Sequence, residues 1–268
     1  MKLTINHTTH YHYDSAASYA LQQLRIRPQD SATQSVTAWQ MQIQGAQTQA
    51  SFTDQHGNMV DLVEFLPEAK DVSVIVSGQI ETRDTAGVQG AHTTLMPLWC
   101  YLGETLLTAG GTRVQALVDE IIADKTKTDD VSRLHALSEI ILRDVSYATE
   151  GMSVDTTAEA ALERGSGVCQ DHAHIFLSVA RKLGYPARYV SGYLMMDAQI
   201  DQDASHAWAE VHLDGLGWVG FDVSNAMSPD DRYVHIARGM DYRECAPTTG
   251  FIMGAGQEKL VVSLQVQQ

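Results

Sequence analysis

Three residues of this chain have the types and settings that acyl-transfer chemistry needs. Cys169 lies in Gly165-Ser166-Gly167-Val168-Cys169-Gln170-Asp171-His172-Ala173-His174, where a tight glycine turn delivers a thiol onto the first turn of a helix. A thiol attacks as its thiolate, and a helix N-terminus favours that anion. His206 opens the run Ser205-His206-Ala207-Trp208-Ala209-Glu210-Val211, and Asp222 closes Gly217-Trp218-Val219-Gly220-Phe221-Asp222. A cysteine nucleophile, a histidine base and an aspartate that orients the histidine together make an acyl-transfer site. Each has a plainer reading: a free cysteine is commonly a packing residue, and His206 is one of 11 histidines.

The spacing of the last two makes a geometric demand. Between them lies Leu213-Asp214-Gly215-Leu216-Gly217, a hairpin signal. A two-residue turn at Asp214-Gly215 points His206 and Asp222 to opposite faces of the sheet. A three-residue loop of Asp214 to Leu216 sets Asp222 diagonal to His206 on one face, within reach. Catalysis therefore requires an odd loop, or a bulge at Gly217 or Gly220. Trp208 shares the face of His206 in an unbulged strand and is a candidate roof for the acyl site. Gln170 is a candidate substrate neighbour on the first turn of the cysteine helix. Asp171 reads as a helix-start charge.

The elements that must position these residues change character along the chain. Residues 1–85 read as β, with alternation over 2–13, 36–43 and 71–82 and a hairpin loop at Asp54-Gln55-His56-Gly57-Asn58. Residues 86–103, with Gly87, Gly90 and Pro97, read as a linker. Residues 104–268 read as a core. Val114, Leu117, Val118, Ile121 and Ile122 form one helical stripe; Leu134, Leu137, Ile140 and Ile141 form another, capped by Asp129 or Asp130. Thr156 and Glu159 have the spacing of a capping box, and that helix should end near Gly165. The cysteine helix should run to about Leu183, with Ala173, Phe176, Leu177, Ala180 and Leu183 as its apolar face. Strands are expected over 188–194, 206–213, 218–223 and 259–266. A β-rich domain, then helices, then strands argues for an α+β fold in two lobes.

These residues also carry a resemblance. Gly-x-Gly-Val-Cys169-Gln-Asp-x-Ala-His, Ala187-Arg188-Tyr189-Val190-Ser191-Gly192-Tyr193, Ser-His206-Ala-Trp and Gly-Trp-Val-Gly-Phe-Asp222 resemble the bacterial transglutaminase-like cysteine peptidase family. His7-Thr8-Thr9-x-Tyr11-x-Tyr13, Leu24-Arg25-Ile26-Arg27-Pro28 and Asp54-x-x-Gly57-Asn58 resemble its β-rich, sandwich-like N-terminal domain. The resemblance covers nearly the whole chain. It implies a papain-like core in which a helix-borne cysteine packs against an antiparallel sheet carrying histidine and aspartate. It implies a Cys169-His206-Asp222 triad and a thioester intermediate. The chain departs from the family at Phe221-Asp222-Val223-Ser224-Asn225, where Phe-Asp-Pro-Thr-Asn is frequent, and keeps the aspartate. It departs again at Tyr147-Ala148-Thr149-Glu150-Gly151, a loop that would line the site and makes Tyr147 a substrate-binding candidate. His172 stands where an aromatic is common.

The reaction so implied is thiol-dependent amide hydrolysis of a protein, a peptide or another amide. The alternatives are transglutaminase-type transfer to an amine and a non-catalytic peptide-binding module. No cofactor is expected. The 268 residues have a net charge of -15, which opposes binding to nucleic acid and anionic membranes. No run approaches a membrane span, and three widely spaced cysteines give no disulfide framework, so a cytoplasmic setting is expected. Cys169, His172 and His174, like His10 and His12, lack the spacing of a zinc site. Asp197, Asp201 and Asp203 lack the glycine and distal glutamate of an EF-hand loop and read as solvated charge. The oligomeric state leaves no mark on the sequence.

Overall fold

The computed structural model describes residues 1–150, 153–196, 201–202 and 205–268. The Asp197, Asp201 and Asp203 side chains lie outside the described residues. Six strands open the chain: β1 (Lys2–Tyr13), β2 (Tyr19–Arg27), β3 (Gln34–Gln44), β4 (Ala46–Thr53), β5 (Met59–Phe65) and β6 (Asp71–Thr82). In β1 every second residue from Leu3 to Tyr13 is buried, the period-2 pattern of a half-buried strand. Two sheets face each other over a core that includes Tyr11, Tyr13, Leu24, Val63, Val74 and Val76.

The short β7 (Val88–Gly90) leads to α1 (Thr112–Ala123), α2 (Asp130–Asp144), β8 (Ser146–Tyr147), α3 (Ala158–Arg164), β9 (Ser166–Gly167) and α4 (Cys169–Lys182). Then come β10 (Ala187–Leu194), β11 (Asp201–Gln202), β12 (His206–Leu213), β13 (Gly217–Phe221), β14 (Tyr233–Gly239), α5 (Tyr242–Cys245), β15 (Thr248–Met253) and β16 (Glu258–Gln267). The core sheet has the order β14-β10-β12-β13-β7, and its pairs are antiparallel. The N-terminal sheets have the orders β11-β16-β1-β6-β3 and β15-β2-β5-β4.

Two segments sit elsewhere than the sequence suggests. The expected linker is built into the core: β7 pairs with β13, and Tyr101 is buried against Trp218 and Met240. The C-terminus supplies two strands where one is expected, and both leave the core. β15 pairs with β2 and β16 with β1, because Leu264 and Val266 bury themselves with Leu3, Ile5 and Ile80. Tyr193, Val234 and Ile236 of the core complete that cluster, so an apolar seam joins the lobes.

The helices also differ in detail. Asp129 caps α2 through the Ser132 N–H. The expected box at Thr156 and Glu159 is displaced by one residue. Thr157 caps α3, while the Glu159 carboxylate accepts N–H groups of Gly111, Arg113 and Val114 at the start of α1. One carboxylate thus satisfies three of the free donors that a helix start leaves. The expectation of an amphipathic α4 gives way to a helix buried on every side, from Asp171 to Arg181. The other helices cover one flank and β12 with β10 the other.

Candidate active site

The turn before Cys169 is explained residue by residue. Gly165 ends α3 in the left-handed conformation, with φ of +70°, where a side chain would be strained. Gly167 leaves room: a Cβ there would lie 2.7 Å from Asp171 Cβ and Oδ2. Asp171 uses that space to accept the Val168 N–H at 3.1 Å and Arg164 Nη2 at 3.2 Å. The chain is thereby locked as it enters α4, with Cys169 as the first helical residue and partly exposed. The parallel pairing of Ser146 with Ser166 and Tyr147 with Gly167 lays the Tyr147 loop alongside.

The hairpin has the register that brings His206 and Asp222 together. Leu213 pairs with Gly217, Val211 with Val219 and Ala209 with Phe221, which leaves the three-residue loop Asp214 to Leu216. Gly215 and Gly217 have φ of +81° and +77°, values that favour glycine. Asp222 then bridges to Met227, with its N–H donating to the Met227 carbonyl at 2.8 Å.

His206 Nε2 donates to Asp222 Oδ2 at 2.6 Å. Cys169 lies close enough to the same ring to act on its charge. Asp222 Oδ2 also accepts Asn225 Nδ2 and Tyr233 Oη, each at 2.7 Å. Burial works against the charge of His206, yet the Asp222 hydrogen bond and the neighbouring Asp222 and Cys169 groups prevail and raise its pKa to about 10. Burial likewise pushes the Asp222 pKa up, but the His206, Asn225 and Tyr233 bonds outweigh it and hold it below the ordinary value. The imidazolium and carboxylate are the favoured forms of this pair.

The other candidates divide. Tyr147 is 56% exposed, its ring centroid 6.2 Å from that of His172. Burial and the neighbouring Cys169 and Asp222 charges raise its pKa. The last residue of its loop, Gly151, lies outside the described residues. Gln170 spends an amide N–H on the Val154 carbonyl at 3.1 Å, so it ties down the neighbouring loop. Trp208 is not a roof. It is 1% exposed and stacks behind His206 with centroids 6.1 Å apart, because Tyr233 and His235 cover its outer side. His172 donates from Nε2 to the Val145 carbonyl and accepts the Ser224 hydroxyl on Nδ1, so both ring nitrogens have protein partners. Among the described residues no group of three His, Cys, Asp or Glu could hold a metal.

Sequence reasoning missed Asn225 and Tyr233. Asn225 had a local signal, three residues beyond Asp222 in a turn-forming run. Tyr233 had none, since its approach depends on how β14 is placed. Glu210 was also missed. It is fully buried and joins Arg188, at 2.6 Å, to His235, at 2.7 Å, on the strand that starts with His206.

A helix-borne thiol set against a sheet-borne histidine and carboxylate places the molecule among papain-like thiol enzymes. Residues 115–223 match the transglutaminase-like superfamily and residues 3–81 the bacterial transglutaminase-like N-terminal region. The chain belongs to the transglutaminase-like superfamily, in the arrangement that carries this bacterial N-terminal region. The solved structure of a candidate cysteine protease from Cytophaga hutchinsonii shares the fold. Its TM-score is 0.76 at 19% identity, covering 100% of this chain and 90% of that one. An uncharacterised protein of Mycobacterium leprae is 27% identical over 99% of this chain and 98% of its own length. One of Mycobacterium tuberculosis is 34% identical over 51% of this chain, which spans about half of that relative, 46%. Among the described residues no helix is long and apolar enough to cross a membrane.

Proposed function

We propose that the chain is a thiol-dependent amide hydrolase, a cysteine peptidase or amidase, working through Cys169, His206 and Asp222. The observation that carries this reading is the Nε2 bond of His206 to Asp222, with Cys169 near enough to act on the same ring. The thiolate of Cys169 attacks the amide carbonyl, and the Cys169 backbone N–H, free at the helix start, meets the developing oxyanion. His206 protonates the leaving amine and so becomes neutral. It then takes a proton from water as that water attacks the thioester, releasing the acid and regenerating the thiolate–imidazolium pair. Asp222 orients the ring and stabilises its charged form. Tyr147, the exposed aromatic beside the thiol, is the substrate contact we favour. Three free cysteines suit a reducing, cytoplasmic setting.

The test is a mass-spectrometric screen of peptide and other amide substrates, with and without an added amine, using Cys169→Ala as the blank. The expected result is acid product in both arms and a loss of at least about 1000-fold in the variant. Amine adducts in place of acid would make the enzyme a transferase. Equal turnover by the variant would remove Cys169 from the chemistry.

A further inference from the structure

One strand that touches the N-terminal lobe also carries residues of the site. Among the described residues β14 is the edge of the core sheet and pairs only with β10. An open edge leaves a row of backbone N–H and C=O groups without partners. Two side-chain amides of the N-terminal lobe close this one. Gln34 donates from Nε2 to the His235 carbonyl at 2.9 Å and accepts the His235 N–H at 2.8 Å. Asn58 donates from Nδ2 to the Arg238 carbonyl at 2.7 Å and accepts the Arg238 N–H at 2.9 Å.

A primary amide carries a donor and an acceptor side by side, so each pair imitates the contact of a neighbouring strand. Outward-facing residues of a regular strand are two apart, yet these are three apart. The bulge opposite Ser191 and Gly192 supplies the extra residue, Ile236, which has no partner on β10. Both amides are buried and held in turn. Asp54 accepts the Asn58 N–H and Nδ2, each at 2.9 Å, and the Gln29 carbonyl accepts Gln34 Nε2 at 2.8 Å. The Thr82 hydroxyl adds a third grip on the Asp231 carbonyl, just before the strand.

What β14 carries gives this grip a consequence. Tyr233 and His235 lie two residues apart and share a face. The Tyr233 hydroxyl donates to Asp222 Oδ2, and its ring lies 6.0 Å from that of His206. Both rings meet Trp208 edge-on, at 5.4 and 4.9 Å, and Trp208 stacks on His206. A shift of β14 would move a donor off the carboxylate and loosen the wall behind the imidazole.

We propose that the N-terminal lobe is a positioning element of the active site, in which Gln34 and Asn58 hold β14 so that Tyr233 keeps Asp222 oriented on His206. This rests on Cys169, His206 and Asp222 being the reactive array.

The test uses the full chain and needs no known substrate. Iodoacetamide alkylation of Cys169 is followed across pH by mass spectrometry of its peptide, below each variant's melting temperature. In the wild type, reaction persists near pH 6, where an ordinary thiol of pKa about 8.5 is protonated. A second inflection at high pH marks the loss of the His206 proton. Asn58→Ala, Gln34→Ala and Tyr233→Phe should each move that inflection by about one pH unit and in one common direction, the size of one lost bond to the carboxylate that holds His206. The double variant Asn58→Ala/Tyr233→Phe should match Tyr233→Phe alone, since both act through one hydroxyl. Gln34→Glu, which keeps the acceptor for the His235 N–H, gives the same comparison should the alanine variants not fold. Lower melting temperatures with an unchanged pH profile, or additive effects in the double variant, would overturn the proposal. A wild-type Cys169 that reacts as an ordinary thiol would sink the hydrolase reading and the positioning claim with it. An unchanged profile in the variants over a reactive wild type sinks the positioning claim alone.

Discussion

The two faces of the core sheet are built on opposite plans. Along β12, Ala207, Ala209, Val211 and Leu213 turn to the helical side and join the large apolar cluster with α4. The alternate residues, His206, Trp208 and Glu210, turn to the other side, where Asp222, Tyr233, His235 and Arg188 meet them. On the first face alanines let a helix approach closely, so packing sets a distance. On the second, directional bonds set an orientation and a charge. Cys169 comes from the helical side and His206 from the polar side, and they meet at the start of β12. The site needs both plans at once.

Substitutions on each face should separate these contributions. The largest effect is expected at Asp222. Asp222→Ala should lower amide turnover about 10⁴-fold, the scale seen when the orienting acid of a triad is removed, while far-ultraviolet circular dichroism stays native. A loss below about tenfold would place the orienting role elsewhere. Glu210→Ala, on the polar face but away from the thiol, should cost stability by leaving Arg188 buried without its carboxylate. Denaturant melts should show a loss of about 3–5 kcal/mol. On the apolar face, Ala209→Leu should cost about 1–3 kcal/mol by overpacking α4, and turnover should fall as the helix is pushed from the sheet. The smallest effect is expected at the exposed rim. Tyr147→Ala should leave the melting temperature nearly unchanged and raise KM more than it lowers kcat.

Much of the helical half of the site was legible because its causes are local. Gly165, Gly167 and Asp171 lie within seven residues and fix the entry to α4 among themselves. The hairpin register followed from parity, since only a three-residue loop or a bulge sets His206 and Asp222 on one face. The polar half was harder to read. Trp208 was placed on the correct face, yet its role reversed because β14 covers it, and β14 is placed by residues far away in sequence. Gln34 and Asn58 stand 201 and 180 residues from the backbone groups they hold. A side-chain amide standing in for a strand has no periodicity to reveal it. The two C-terminal strands escaped their lobe for a related reason, since strand pattern gives burial but not partner.

The pH behaviour of the histidines draws the contrast most sharply. His7 and His174 are buried, which lowers their pKa to about 4 and about 3. His206, also buried, is raised to about 10 by Asp222 and Cys169. By linkage, His206 stabilises the folded state fully below its unfolded pKa of about 6.5, and that contribution is lost as pH rises toward 10. The measurement that bears most directly on the site is the nuclear magnetic resonance titration of labelled histidines, assigned with His206→Gln. At pH 8 His206 should carry protons on both ring nitrogens while His7 and His174 are neutral. A neutral His206 ring at pH 8 would contradict that charge state.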